Sequence, residues 1–350
     1  MLIITGYILF LGLINTIISE KINKSKIFII FAGFLLFLIS TFRSIYFAPD
    51  VVGYVNEYMS LSYRDLGELW RNFISNTGKD PIFYIVAKII NMFGASYREW
   101  LAIIAGFFCF AVSKLIYRYS DENYLSFVVL ISLGFFYFSL TGLRQTVALS
   151  IILLSYKYLR ERKLWIFIII VVLSSLFHIS ALIFLIAYPI ANMKIGWKQV
   201  IGISISLALV FLFKELLIKI LYFLNIEDRF GSYLEGATTL TFSGFIIQLC
   251  VYLFCLFYKR RVLENDDKNI SLYNLLFLGL VFQAFSTIIA EFFRISMYFS
   301  IFSIILIPKA INVEKDKKLR VIVYFAVFVA LVAYIFWSRS FSGFKFFWQE

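Results

Sequence analysis

The sequence predicts an all-α, polytopic integral membrane protein with about 10–12 transmembrane helices and one or more short re-entrant or interfacial helices on the outer side. Three observations carry this. Of the 350 residues, 62% are hydrophobic and only 15% charged, with a mean hydropathy of +0.89, a balance that soluble domains of this length do not show. Apolar runs long enough to cross a bilayer recur from end to end. Between them, Lys and Arg gather in short loops, the pattern of cytoplasmic loops in membrane proteins.

The candidate spans lie near 2–18, 27–45, 100–117, 124–141, 143–159, 164–190, 240–258, 271–290, 294–308 and 321–337. The first has no basic leader and no small-residue cleavage site, so it reads as a retained span. A further apolar stretch, 199–226, is interrupted by Lys214, Glu215 and Lys219. Four basic groups set the orientation: Lys21 to Lys26, Arg160 to Lys163, Lys259 to Arg261, and Lys315 to Arg320. Assigning all four to the cytoplasm puts the N-terminus outside. Residues 81–94 are too short to cross and carry Lys88 midway, so 46–99 is expected wholly outside, with 81–94 as an interfacial or re-entrant helix. The 164–190 run reads either as one long tilted helix or as two half-helices broken near His178. No repeat or linker divides the chain, which is expected to form a single membrane-embedded domain over 1–350.

Several function classes find no support. The net charge of +12 sits mostly in the basic loops, so nucleic acid is not an expected partner. Cys109, Cys250 and Cys255 lie inside apolar runs without CxxC spacing, which offers neither a disulfide framework nor a zinc site. There is no P-loop, no DxD-like run and no G-x-S-x-G elbow. No metal and no cofactor is expected.

Under this topology, Arg43, Asp50, Tyr54, Tyr58, Arg144, Gln145, Glu291 and Arg294 converge on the outer ends of spans or on outer loops. Ionisable groups at membrane depth are costly and tend to mark substrate paths. In SLTGLRQTVALS, the Thr141-Gly142 break opens a helix whose first turn carries Arg144 and Gln145. Free backbone N–H groups and a guanidinium suit phosphate, and a headgroup anchor is the alternative. His178 is the only histidine, with Ser174 and Ser175 one turn earlier to fix its ring if the helix is continuous. Catalytic base, sugar binder and phosphate donor are its open roles. Asp50, Tyr54 and Tyr58 share a helical face and suit a sugar or an interfacial aromatic belt. In EFFRISMYF, Glu291 and Arg294 are spaced to pair, and Arg294 and Tyr298 stand one turn apart.

The run from Gly142 to Leu185, GLRQTVALSIILLSYKYLRERKLWIFIIIVVLSSLFHISALIFL, resembles the core signature of the EpsG-like family of Wzy-type polysaccharide polymerases. Three further pieces are similar: Pro49 to Tyr54, DPIFYIVAKIINMFG at Asp80 to Gly94, and RISMYFSIFSIILIP at Arg294 to Pro308. The resemblance implies polymerisation of undecaprenyl-diphosphate-linked oligosaccharide repeat units on the outer face of a bacterial cytoplasmic membrane, for capsule, exopolysaccharide or O-antigen. It carries over Asp50, Tyr54, Arg144, Gln145, His178 and Arg294. Of these, Arg144, His178, Arg294 and Asp50 are the expected catalytic residues. Arg43, Tyr54, Tyr58, Gln145, Glu291 and Tyr298 are the expected substrate contacts. Arginines would stabilise the leaving diphosphate, and a carboxylate or His178 would take the acceptor's proton. Membrane lipid, a flippase and a chain-length regulator are the expected partners. A GT-C-like glycosyltransferase or glycan ligase, or a transporter of lipid-linked sugars, is the alternative.

Overall fold

The computed structural model describes residues 2–18, 22–75, 80–223, 242–286 and 292–350. Among them every regular element is a helix, apart from one isolated antiparallel bridge between Arg43 and Phe346. The protein is an all-α, multi-pass membrane protein. Its chain divides into two compact units, residues 1–182 with 314–350, and residues 183–313.

The first unit begins with α1 (Leu2–Ile18) and α2 (Ile22–Thr41), followed by α3 (Pro49–Ser60), α4 (Leu66–Ile74) and α5 (Pro81–Met92). Next come α6 (Tyr97–Tyr119), α7 (Asn123–Ser132), α8 (Phe135–Thr141), α9 (Leu143–Arg160) and α10 (Leu164–Ser175). Helix α6 opens on a capping box, with the Ser96 hydroxyl accepting from Glu99 N and the Glu99 carboxylate accepting from Ser96 N. It packs against α2 on one side and α9 on the other. Ser174 of α10 donates to Ala148 O of α9 at 2.8 Å, a polar tie between two apolar helices.

The segment between α2 and α6 packs with the starts of α6 and α9 in one apolar cluster that includes Val51, Val55, Tyr58, Leu61, Phe83, Trp100 and Leu143. The Tyr58 ring stacks on Trp100 with centroids 4.8 Å apart, and its hydroxyl donates to Ala95 O at 2.8 Å. Lys88 turns inward and donates to Leu61 O at 2.7 Å, which satisfies a carbonyl where α3 runs out.

The second unit contains α11 (Ala187–Ile190), α12 (Trp197–Phe223), α13 (Ser243–Phe257), α14 (Lys259–Asn265), α15 (Ile270–Phe285), α16 (Phe292–Ser300) and α17 (Ser303–Asn312). Helices α15 and α16 approach most closely at Gly279, whose carbonyl accepts from the Ser296 hydroxyl at 2.8 Å. A Cβ at Gly279 would stand 3.0 Å from Ser300 N and 3.3 Å from its Cα, backbone atoms that cannot swing away. Gly279→Ala is therefore expected to cost roughly 1–3 kcal/mol through overpacking. The apparent Tm of the purified protein checks this, with Gly6→Ala as the comparison, since a Cβ there meets nothing within 4 Å.

The last helix, α18 (Lys317–Ser338), belongs to the first unit. Asp316 caps it by accepting from Lys318 N and Leu319 N. It exposes Ile322, Phe325, Val329 and Trp337 along its length, as a helix facing acyl chains does.

The expected spans are more broken than their composition suggests. Among the described residues, α6 and α18 alone are long and apolar enough to cross unaided. The count rises to four if α7 with α8, bent by 55°, and α16 with α17, bent by 42°, each form one span. The first bend falls at Gly134, whose φ of 82° is open to glycine and strained for other residues. Shorter apolar helices, including Ile3–Asn15, Lys26–Thr41 and Ser243–Phe257, occupy other expected spans. The 164–190 run takes its broken form: α10 stops at Ser175 and a 3-10 stretch, Ile179–Ile186, follows His178.

Candidate active site

Within the first unit, three separate breaks in helical structure meet at one carboxylate. Asp80 precedes α5 with φ 50° and ψ 59°, a left-handed conformation that Asp tolerates better than most residues, and Pro81 then starts the helix. Gly142 opens α9 and places Arg144 in its first turn. The chain leaves α10 at Ser175, three residues before His178. Asp80 Oδ2 lies 3.1 Å from Arg144 Nη1 and 2.8 Å from His178 Nδ1, while Oδ1 accepts from Ile179 N at 3.3 Å. On the far side of the guanidinium, Arg144 Nε donates to the Tyr54 hydroxyl at 3.2 Å. Its charge stands 5.6 Å from the centre of the Tyr54 ring.

The exposure of these side chains is graded, at 8% for Asp80, 18% for Arg144 and 22% for His178. The carboxylate is the buried anchor, and the two groups it holds retain access to a ligand. Burial acts to raise the Asp80 pKa. The His178 hydrogen bond, the Arg144 charge and the Ile179 N–H outweigh it and hold the carboxyl below its ordinary value. Asp80 is therefore ionised at neutral pH and can only accept. The hydrogen on His178 must then sit on Nδ1, which leaves Nε2 as the basic nitrogen. A carboxylate that fixes a histidine tautomer and clamps an arginine sets a basic nitrogen and a guanidinium side by side.

The structure thus brings together Tyr54, Arg144 and His178, and adds Asp80, which was not among the expected site residues. Ser174 and Ser175 do not orient the imidazole, because the helix is interrupted there and their hydroxyls donate to Ala148 O and Val172 O. Asp50 is exposed on the first turn of α3. Tyr58, on the same helical face as Tyr54, is buried in the stack with Trp100. Gln145 is buried in the first turn of α9. Arg43 is 2% exposed; one guanidinium nitrogen bonds Ser40 O, and Nε and Nη2 find no partner among the described residues. In the second unit, Arg294 is half-buried with its guanidinium 5.9 Å from the Phe293 ring, and Tyr298 is fully buried. Glu291 lies outside the described residues.

Fold and site together define a multi-pass, all-α membrane protein with a charged, half-buried cluster held by the breaks between its helices. A family model described as the EpsG family matches residues 26–349, and the chain belongs to that family. No curated protein and no solved structure matches it. Membership associates the protein with polysaccharide biosynthesis at a membrane.

Proposed function

We propose that the protein polymerises polyprenyl-diphosphate-linked oligosaccharide repeat units on the outer face of a bacterial cytoplasmic membrane. The observation that carries this reading is the single carboxylate of Asp80 shared between His178 and Arg144. His178 Nε2 takes the proton of an acceptor hydroxyl as its oxygen bonds to the anomeric carbon. The Asp80 carboxylate stabilises the imidazolium that forms. The bond from the anomeric carbon to the diphosphate breaks with its electron pair going to the leaving group. Arg144, aimed by Tyr54 and Asp80, receives that charge. Asp50, exposed on α3, is left with a role in sugar contact. A flippase delivering the lipid-linked unit and a chain-length regulator belong to the same reading as partners.

Incubating the purified protein with one defined lipid-linked repeat unit tests the reaction class. A polymerase yields a ladder of products on the lipid. A single addition would assign it as a transferase or ligase, and movement of the unit across a vesicle membrane without extension would assign it as a transporter.

A further inference from the structure

An apolar groove of about 410 Å³ opens in the first unit, where α2 passes the chain toward α3. Gly6, Tyr7 and Phe10 of α1, Phe42 just beyond α2, and Phe346 and Trp348 of the C-terminal segment form much of its wall. Its size falls within the roughly 300–1,000 Å³ of small-ligand clefts, yet it lacks the few convergent polar groups that such clefts use for orientation. The Tyr7 hydroxyl is already committed to Ala32 O at 3.1 Å. Such a groove suits a hydrocarbon chain. Its aromatic rings offer flat faces to the branched methyls of an isoprenoid.

The surroundings of the groove are cationic. Arg43 follows Phe42 directly, buried with two guanidinium nitrogens unsatisfied. The Arg98 guanidinium lies 3.9 Å over the Phe347 ring, and Lys345 is exposed beside the Arg43–Phe346 bridge. A buried guanidinium lacking partners is costly unless an anion reaches it. Phe47 packs on Phe344 with centroids 5.0 Å apart, and the next element is α3, which presents Tyr54 to Arg144.

We propose that this groove seats the head-proximal isoprene units of the substrate's polyprenyl chain, with Arg43, Arg98 and Lys345 drawing the attached diphosphate toward Arg144. The assignment rests on the polymerase reading for the identity of the lipid, but its test does not depend on turnover. The full-length protein in phosphatidylcholine nanodiscs is irradiated with a polyprenyl diphosphate carrying a diazirine in its first isoprene units. Label is expected on residues 3–10, 35–42 or 346–348, and unlabelled polyprenyl diphosphate should compete it away. Gly6→Phe introduces a ring at a residue that lines the groove, where a Cβ meets nothing within 4 Å. It should cut labelling about tenfold and raise KM for a lipid-linked unit by a similar factor, with kcat little changed. Leu9→Phe, at a position 64% exposed on α1, should leave both unchanged.

Label that maps elsewhere, or that persists in Gly6→Phe, overturns the proposal. So does a diazirine-bearing phosphatidylglycerol that labels the groove and is not displaced by polyprenyl diphosphate, which would mark a structural lipid. If label maps elsewhere while chains are still extended, the groove assignment fails alone. If the groove is labelled and no lipid-linked unit is ever extended, the polymerase reading fails and the groove assignment stands.

Discussion

Asp80→Asn is expected to reduce chain extension by about 10²- to 10⁴-fold while the protein still inserts and purifies normally. The amide keeps the size of the carboxylate, so the turn before α5 can be retained. Its one oxygen can meet His178 Nδ1 and Arg144 Nη1, which now converge on Oδ2 at 2.8 and 3.1 Å, only by turning its NH2 against the Ile179 N–H that donates to Oδ1, and it carries no charge for either partner. An amide N–H turned toward the ring would favour the tautomer with its hydrogen on Nε2 and remove the base. Asp80→Ala would confound the result, because leaving Arg144 without its buried counter-charge costs about 3–5 kcal/mol in stability as well. Product ladders from membranes with matched protein content give the measurement. Near-normal chain length in Asp80→Asn would reduce the cluster to a structural ion pair.

Arg144→Lys carries the second large effect, an expected loss of about 10²- to 10³-fold in rate. The guanidinium holds Asp80 through Nη1 and Tyr54 through Nε in one rigid plane. A lysine ammonium can satisfy one of those partners and offers phosphate a point charge in place of a fork. If Arg144 only anchored α9 to lipid headgroups, Lys would serve equally, since its ammonium snorkels to the same depth. Steady-state extension rates of the two proteins, normalised to folded protein, separate the two roles.

The class of fold was legible because lipid imposes a demand that composition cannot disguise. An apolar residue fraction of 62% with clusters of basic residues in the short loops between apolar runs has few other solutions. The bends were harder to see. Gly134 interrupts an apolar run, but glycine is common in transmembrane helices, so its left-handed turn leaves no distinct mark in the sequence. The break before His178 falls in SSLF, which has neither Gly nor Pro to signal it.

Arg144 and His178 were legible as ionisable groups amid apolar residues, and Tyr54 through its spacing on α3. Asp80 was not. An acid before a proline at a helix start reads as a turn residue. Nothing in its neighbourhood points to a histidine 98 positions away, and only the fold joins them. Conversely, the spacing that put Tyr58 beside Tyr54 holds in the structure, yet one turn of helix carries Tyr58 into the stack on Trp100. Helical periodicity identifies a shared face, and what covers that face is a tertiary matter.

Whether Asp80 and His178 act as one unit is measured directly by a double-mutant cycle on the extension rate. Asp80→Asn, His178→Gln and the double variant are compared with the unaltered protein. If the carboxylate works through the imidazole, the double variant should be little worse than the more damaging single one, as for residues that act together in one catalytic step. Losses that simply add, so that the double variant falls by the product of the two single effects, would contradict it.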